Sequence, residues 1–241
     1  MEKINHEEVL TTNVSIEHFL DVYFDDDAFH LFQKDVGLRY RKRFLNNELI
    51  KVLVQLKTPL EEDGVARNEI KFDVKKSMNS NDYLTRHPLL RYIKKKNRDE
   101  LDYYLRKYNT TSKDMVQSLS LTQTRKRLYI SDSSSALATI TLDFVRNNSF
   151  PFQCFTELEL ELNEIRYTDA TESEKQSMEL FNSLLKQALF ENFPGLMQDQ
   201  TPKYSKLKKI VDDSWVSFIY SNWMWIVWVG MGLVASIKML S

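Results

Sequence analysis

The eight residues Phe155-Thr-Glu-Leu-Glu-Leu-Glu-Leu162 constrain the fold of this chain more than any other stretch. Successive side chains of a strand point to opposite faces, so Glu157, Glu159 and Glu161 share one face and Leu158, Leu160 and Leu162 the other. The leucine face suits packing against helices, and the glutamate face suits a cavity or water. A second alternation, Gly37-Leu-Arg-Tyr-Arg-Lys-Arg-Phe44, sets Arg39, Arg41 and Arg43 opposite Leu38, Tyr40 and Lys42.

The rest of the chain reads as more strands of the same kind, interrupted by helices. Leu20–Phe24 is a short strand before the acidic turn Asp25-Asp26-Asp27. Leu49–Lys57 and Ala66–Val74 form two further strands, joined through Pro59 and Gly64. They place Leu53, Gln55 and Lys57 opposite Val52, Val54 and Leu56, and Arg67, Glu69 and Lys71 opposite Ile70 and Phe72. Asn81–Asn109 is a helical insertion, because Leu101, Tyr104, Leu105 and Tyr108 recur at helical spacing. Its run Lys94-Lys95-Lys96 reads as a solvated face. Strands resume at Leu119–Ile130, Leu137–Val145 and Phe155–Ile165. Thr171 and Glu174 then form a capping box for a helix whose apolar face is Phe181, Leu184, Leu185, Ala188 and Leu189, ending at Pro194-Gly195. About seven strands with two or three helices make an antiparallel α+β fold.

Composition allows one sizeable core: of 241 residues, 42% are hydrophobic and 28% charged. The lone Cys154 forms no internal disulfide, which fits a reducing compartment. A net charge of −1 gives no reason to expect nucleic-acid binding, so anion affinity has to come from charge placement. The polar N-terminus does not read as a secretory signal. From Trp215 to Ile237 there is no charged residue, and all four tryptophans (Trp215, Trp223, Trp225 and Trp228) lie in this run. As a helix it spans roughly 35 Å, enough to cross a bilayer. Lys203, Lys206, Lys208 and Lys209 precede it and only Lys238 follows, which predicts a single-pass tail anchor with the N-terminal domain in the cytoplasm.

The strand charges suit a polyphosphate. Guanidinium groups donate bidentate hydrogen bonds to phosphate oxygens, and lysines add point charges. Arg39, Arg41, Arg43, Lys57, Arg67, Arg125 and Arg127 all fall on strand positions. Grouped glutamates repel such a ligand unless Mg²⁺ or Mn²⁺ bridges carboxylate and phosphate oxygens. Alternating charge also occurs on solvent-facing strands, where Arg and Glu form cross-strand pairs. The histidines (His6, His18, His30 and His87) lack metal-ligand spacing, Ser133-Ser134-Ser135 reads as a loop, and Gly37, Gly64 and Gly195 form no phosphate loop.

Six motifs in order, Tyr23-Phe-Asp25, Gly37-Leu-Arg-Tyr-Arg41, Gln55-Leu-Lys57, Arg67-Asn-Glu69, Asp143 and Glu157-Leu-Glu-Leu-Glu161, resemble the CYTH domain of the triphosphate tunnel metalloenzymes over Ile16–Ile210. The resemblance implies an antiparallel β-tunnel that binds a triphosphate or polyphosphate-like small molecule with divalent metal. By motif, it assigns phosphate contacts to Arg39, Arg41, Lys57, Arg125, Arg127 and Lys206, the last of these closing one tunnel mouth. It gives metal ligation to Glu69, Asp143, Glu157, Glu159 and Glu161, and catalysis to Glu157, Glu159 and Lys57. The implied organisation is an N-terminal segment 1–15, a tunnel domain 16–210 with the insertion 81–109, and the span 215–237.

Two departures stand out. The family's first strand carries Glu-x-Glu-x-Lys, and nothing before Tyr23 has that spacing, so either the chain lacks the strand or its start is assigned too late. Where a second glutamate is expected after Glu69, the residue is Lys71. Three functions remain open: a membrane-tethered triphosphatase, a polyphosphate- or nucleotide-binding module without turnover, and a tail-anchored structural protein that docks partners through 81–109.

Overall fold

Alternation at period two decides the architecture. The computed structural model describes residues 10–59, 67–74, 89, 93–133, 135–149, 152–199 and 201–215. Seven strands, β1 (Thr11–Asp25), β2 (Gly37–Leu45), β3 (Glu48–Pro59), β4 (Arg67–Phe72), β5 (Val116–Ser131), β6 (Ala136–Asn147) and β7 (Cys154–Leu162), form one antiparallel sheet in the order β4-β3-β2-β1-β5-β6-β7. The first strand begins at Thr11, well before the Leu20 that the sequence suggests, and it is the central strand, paired on both sides. Asn46 and Asn47, both at positive φ, make the two-residue turn between β2 and β3; asparagine tolerates that conformation. The last strand stops at Leu162, short of the expected Ile165. The Asn163 side chain there caps α2 (Glu164–Asp169), accepting from the Arg166 amide.

Between the bulges at Tyr23/Phe24, Arg43/Phe44 and Ile130/Ser131, the odd-numbered residues of the strands share the concave face and the even-numbered ones face the outer core. Phe24, Leu38, Tyr40, Val54, Leu56 and Phe72 are buried there with Leu101 and Leu105 of α1 (Lys95–Arg106), a helix within the predicted insertion. Tyr104 and Tyr108 pack against the same cluster. Lys94 pairs with Asp73, and Lys95 and Lys96 are exposed, as expected of a solvated face.

The concave face changes character along its length. At one end Tyr23, Leu119, Leu121 and Val145 are apolar, and there a helix at 203–215, α4, docks through Tyr204, Leu207 and Val211. The preceding helix, α3 (Glu172–Asn192), has the predicted Thr171/Glu174 capping box and contacts β7. Its apolar face is only partly covered: Phe181, Leu185 and Leu189 are half-buried, whereas Leu184 and Ala188 are exposed. Of the predicted membrane span only Trp215 lies within the described residues; among these, no helix is long and apolar enough to cross a membrane.

Candidate functional site

Away from α4 the concave face is charged, and the strand register sets the charges in rows. Tyr23 pairs with Arg39, Asp21 with Arg41 and Phe19 with Arg43 across β1 and β2. On the other side Glu17 pairs with Arg125, Arg125 with Asp143, and Asp143 with Glu157; Arg127, Thr141 and Glu159 form the next row. The sheet curls enough that its two edge strands face one another: Glu69 of β4 and Glu159 of β7 line the same cavity. The cavity has two adjoining chambers of about 390 Å³ and about 510 Å³, and Arg39, Lys57, Glu69, Glu159, Glu161 and Lys203 line both. The first chamber is lined by nine lysines and arginines against five glutamates. Arg39, Arg41, Lys57 and Arg127 therefore converge on one interior space, not on the outer surface of the sheet.

Buried acids hold these cations in place. Asp21 is fully buried; Arg41 donates to it through Nε at 2.6 Å and Nη2 at 2.5 Å, and Arg39 through Nη1 at 3.1 Å. Burial works to raise the Asp21 pKa, but Arg41 and Arg39 outweigh it and hold the carboxyl below its ordinary value. Gln55 Oε1 accepts from Arg39 Nε at 2.9 Å and Nη2 at 2.6 Å, and Gln123 Oε1 accepts from Arg41 at 3.2 Å. The Phe19 ring lies 4.3 Å from the Arg41 guanidinium carbon and 5.7 Å from that of Arg125, separating the two. Glu17 pairs with Arg43 and lies 4.0 Å from Arg127.

Lys57 contacts Glu69, which also accepts from Gln55 and lies 3.5 Å from Lys71. Burial and the neighbouring Arg39 push the Lys57 pKa down to about 8, even with Glu69 beside it. Asp25 of the Tyr23-Phe-Asp25 motif does not face the cavity. Its carboxylate accepts from the Asp26, Leu31 and Phe32 amides and from the Tyr204 hydroxyl, fixing the loop after β1.

The opposite wall is acidic. Oxygens of Asp143, Glu157 and Glu159 lie within 4.8 Å of one another, an all-oxygen donor set that suits a hard divalent cation. Glu69 and Glu161, also predicted as ligands, stand outside this group: Glu69 is on the far edge strand, and Glu161 is one row beyond Glu159. Arg125 binds Asp143 through Nε at 2.8 Å and Nη2 at 2.7 Å, and reaches Glu159 at 2.9 Å. Lys203 contacts all three carboxylates. Burial raises the Asp143 pKa, but Arg125 and Lys203 more than reverse this and bring it to about 2. The donor set therefore fits a divalent cation once the Lys203 ammonium has moved from its centre.

Lys206, predicted at the tunnel mouth, pairs with Glu157 at 3.0 Å and Asp199 at 2.9 Å; the lysine of α4 that lines the cavity is Lys203. Glu17, Asp21 and Lys203 are the site residues that sequence reasoning missed, and Gln55, part of the Gln55-Leu-Lys57 motif, carried no assigned role. A first strand traced from Thr11 would have exposed Glu17 and Asp21 in phase with the β2 arginines, but Lys203 carries no local signal.

A cationic, acid-buttressed cavity enclosed by an antiparallel sheet makes a β-tunnel whose lining suits a polyanion. The CYTH domain family matches residues 2–188, and the chain belongs to it. No curated protein matches the chain. Among solved structures it is similar to a candidate adenylate cyclase from Bacillus halodurans, with 14% identity, 83% of this chain and 96% of that one covered, and a TM-score of 0.49. It is also similar to the PH1819 protein of Pyrococcus horikoshii OT3, with 16% identity, 87% and 90% covered, and a TM-score of 0.44. A third is a Hippeastrum adenylyl cyclase candidate described as having a dominant triphosphatase activity, with 17% identity, 78% and 86% covered, and a TM-score of 0.41.

Proposed function

We propose that this CYTH chain is a hydrolase of a triphosphate or polyphosphate-like anion, dependent on Mg²⁺ or Mn²⁺ and tethered to a membrane by its C-terminal segment. The observation that carries the reading is the convergence of cations from β2, β3, β4 and β5 on one chamber, in excess over its carboxylates. Arg41, Arg125 and Arg127 bind the phosphoryl oxygens with the donors that Asp21, Asp143 and Glu17 leave free, and Lys57 neutralises charge from the facing strand. Because their carboxylate partners fix these guanidiniums beforehand, little reorganisation accompanies the build-up of charge during transfer to water. Asp143, Glu157 and Glu159 would hold the metal, which when bound would supply neutralising charge for a phosphoryl group.

Phosphate release from tripolyphosphate, with and without Mn²⁺, tests this. Arg127→Met and Glu159→Gln are expected to lower turnover about a hundredfold each. Release that neither variant nor a chelator reduces ends the reading. Lys71 at the second glutamate position of β4, together with Lys203 inside the acidic cluster, favours a second reading: tight anion binding with weak or no turnover. Calorimetric binding of tripolyphosphate without phosphate release would establish it. The tether rests on the uncharged run Trp215–Ile237 and the lysines before it. The full chain is expected to resist alkaline carbonate extraction, with the CYTH domain cleaved by protease added on the cytoplasmic side. Extraction into the soluble fraction would refute it.

A further inference from the structure

The three carboxylates that can hold a metal already hold a cation, the ammonium of Lys203. Its Nζ lies 2.9 Å from Asp143 Oδ2 and 2.7 Å from Glu157 Oε2, and it also contacts Glu159 Oε1. The oxygens are within 4.8 Å of one another, so the centre of the cluster has room for one small cation. A divalent ion added beside the ammonium would bring like charges to contact distance in a shielded site, where repulsion is several times stronger than in water.

The anchorage of α4 shows how the two can alternate. Tyr204 is stacked on Tyr23 with centroids 4.8 Å apart, and Leu207 and Val211 pack against Leu119, Leu121 and Val145. This apolar seat holds the helix whether or not the lysine is paired. The Lys203 head is carried on a flexible four-carbon stem, and its side chain borders both chambers, including the cation-rich one. Lys206 holds the other oxygen of Glu157, Oε1, at 3.0 Å and Asp199 at 2.9 Å, so it steadies that carboxylate from outside the cluster while Lys203 occupies Oε2.

We propose that Lys203 is an exchangeable resident cation: its ammonium fills the Asp143, Glu157 and Glu159 cluster until divalent metal displaces it into the cationic chamber, where it becomes a further ligand for the anion. The proposal rests on the reading of that cluster as the metal site. It gives the resting protein a charge-compensated wall. It also couples the two ligands, because metal binding releases a cation that the anion then uses, and linkage makes the coupling reciprocal.

The test is Mn²⁺ binding to the full chain in detergent buffer without substrate, read from the paramagnetic resonance of free Mn²⁺. Lys203→Met keeps the stem and removes the charge. It is expected to bind Mn²⁺ at least about tenfold more tightly than the native chain, the ratio worth one charge-assisted hydrogen bond, and Asp143→Asn in that background is expected to abolish the gain. A second readout follows the native lysine directly. Acylation of Lys203, measured by mass spectrometry, is expected to rise severalfold when Mn²⁺ is added. Equal Mn²⁺ affinities, or labelling that Mn²⁺ leaves unchanged, overturn the exchange; if phosphate release is still metal-dependent, the hydrolase reading stands without it. Absence of Mn²⁺ binding in both proteins overturns the exchange and the metal site together.

Discussion

Replacing Asp21 by asparagine tests whether the arginine array is held up by buried acid. The Asp21 carboxylate is fully buried and accepts three hydrogen bonds, two from Arg41 and one from Arg39. Asparagine keeps the size but turns one acceptor oxygen into a donor that faces guanidinium donors, and it removes the negative charge that the two arginines share. Charge-assisted hydrogen bonds are worth about 1.5–3 kcal/mol each, and leaving one partner of a buried pair uncompensated costs about 3–5 kcal/mol. A loss of about 3–5 kcal/mol corresponds, for a chain of this size, to a midpoint lower by about 6–20 °C.

Thermal unfolding followed by far-ultraviolet circular dichroism at pH 7 reads this directly. The same scan with saturating tripolyphosphate should recover more of the midpoint in Asp21→Asn than in the native chain, because the freed guanidiniums then have a replacement anion. A drop of under about 3 °C, or an equal anion effect in both proteins, refutes the view that Asp21 compensates the array.

Lys57 sets the alkaline limit of anion binding. Its pKa is about 8 in the fold and 10.5 ordinarily, so between those values the unfolded chain holds a proton that the native one has released. Its unfavourable contribution to stability is therefore complete below pH 8 and relieved as pH rises. Anion binding shows the opposite trend, since it needs the charged form: calorimetric affinity for tripolyphosphate should fall by up to tenfold per pH unit above pH 8, and Lys57→Met should remove that fall. Tyr204→Phe removes a hydroxyl 3.1 Å from Asp25 Oδ2 and 3.0 Å from Ser118 Oγ, while Asp25 keeps its three backbone donors. A midpoint lower by about 2–4 °C, from about 1 kcal/mol, is expected; no change would show that α4 is held by its apolar contacts alone.

The strands that the sequence revealed are those whose two faces differ most. In β2 the arginines Arg39, Arg41 and Arg43, and in β7 the glutamates Glu157, Glu159 and Glu161, recur at every second residue against a mainly apolar opposite face, so period and orientation follow from sterics alone, and hairpin neighbours then set the register. The first strand is different. Its inner face is Glu17, Phe19, Asp21, Tyr23 and its outer face includes Ile16, His18, Leu20 and Val22, so apolar and polar residues fall on both sides and alternation is lost before Leu20. A central strand can bury such acids because both neighbours supply cations, here Arg39, Arg41 and Arg43 from β2 and Arg127 from β5. Lys203 was illegible for another reason: it lies on a helix, 44 residues from Glu159, and only the docking of α4 across the concave face brings them together.

A cavity built to receive a polyanion must keep many like charges close together while the ligand is away. Here the neutralising acids sit largely beneath and beside the cations: Asp21 and Asp143 are fully buried and Glu17 nearly so. Each takes hydrogen bonds from guanidinium groups and so orients the remaining donors toward the open chamber. The arrangement avoids the repulsion of an empty cationic tunnel without filling it, and it makes the geometry of the arginines a property of the fold rather than of the ligand. On the acidic wall the same problem arises with the signs reversed, and Lys203 plays there the part that Asp21 plays among the arginines. One difference separates them: Asp21 is short and locked in the central strand, whereas Lys203 is long and attached to a helix at the chamber rim, so only the second compensating charge is free to give way to a ligand.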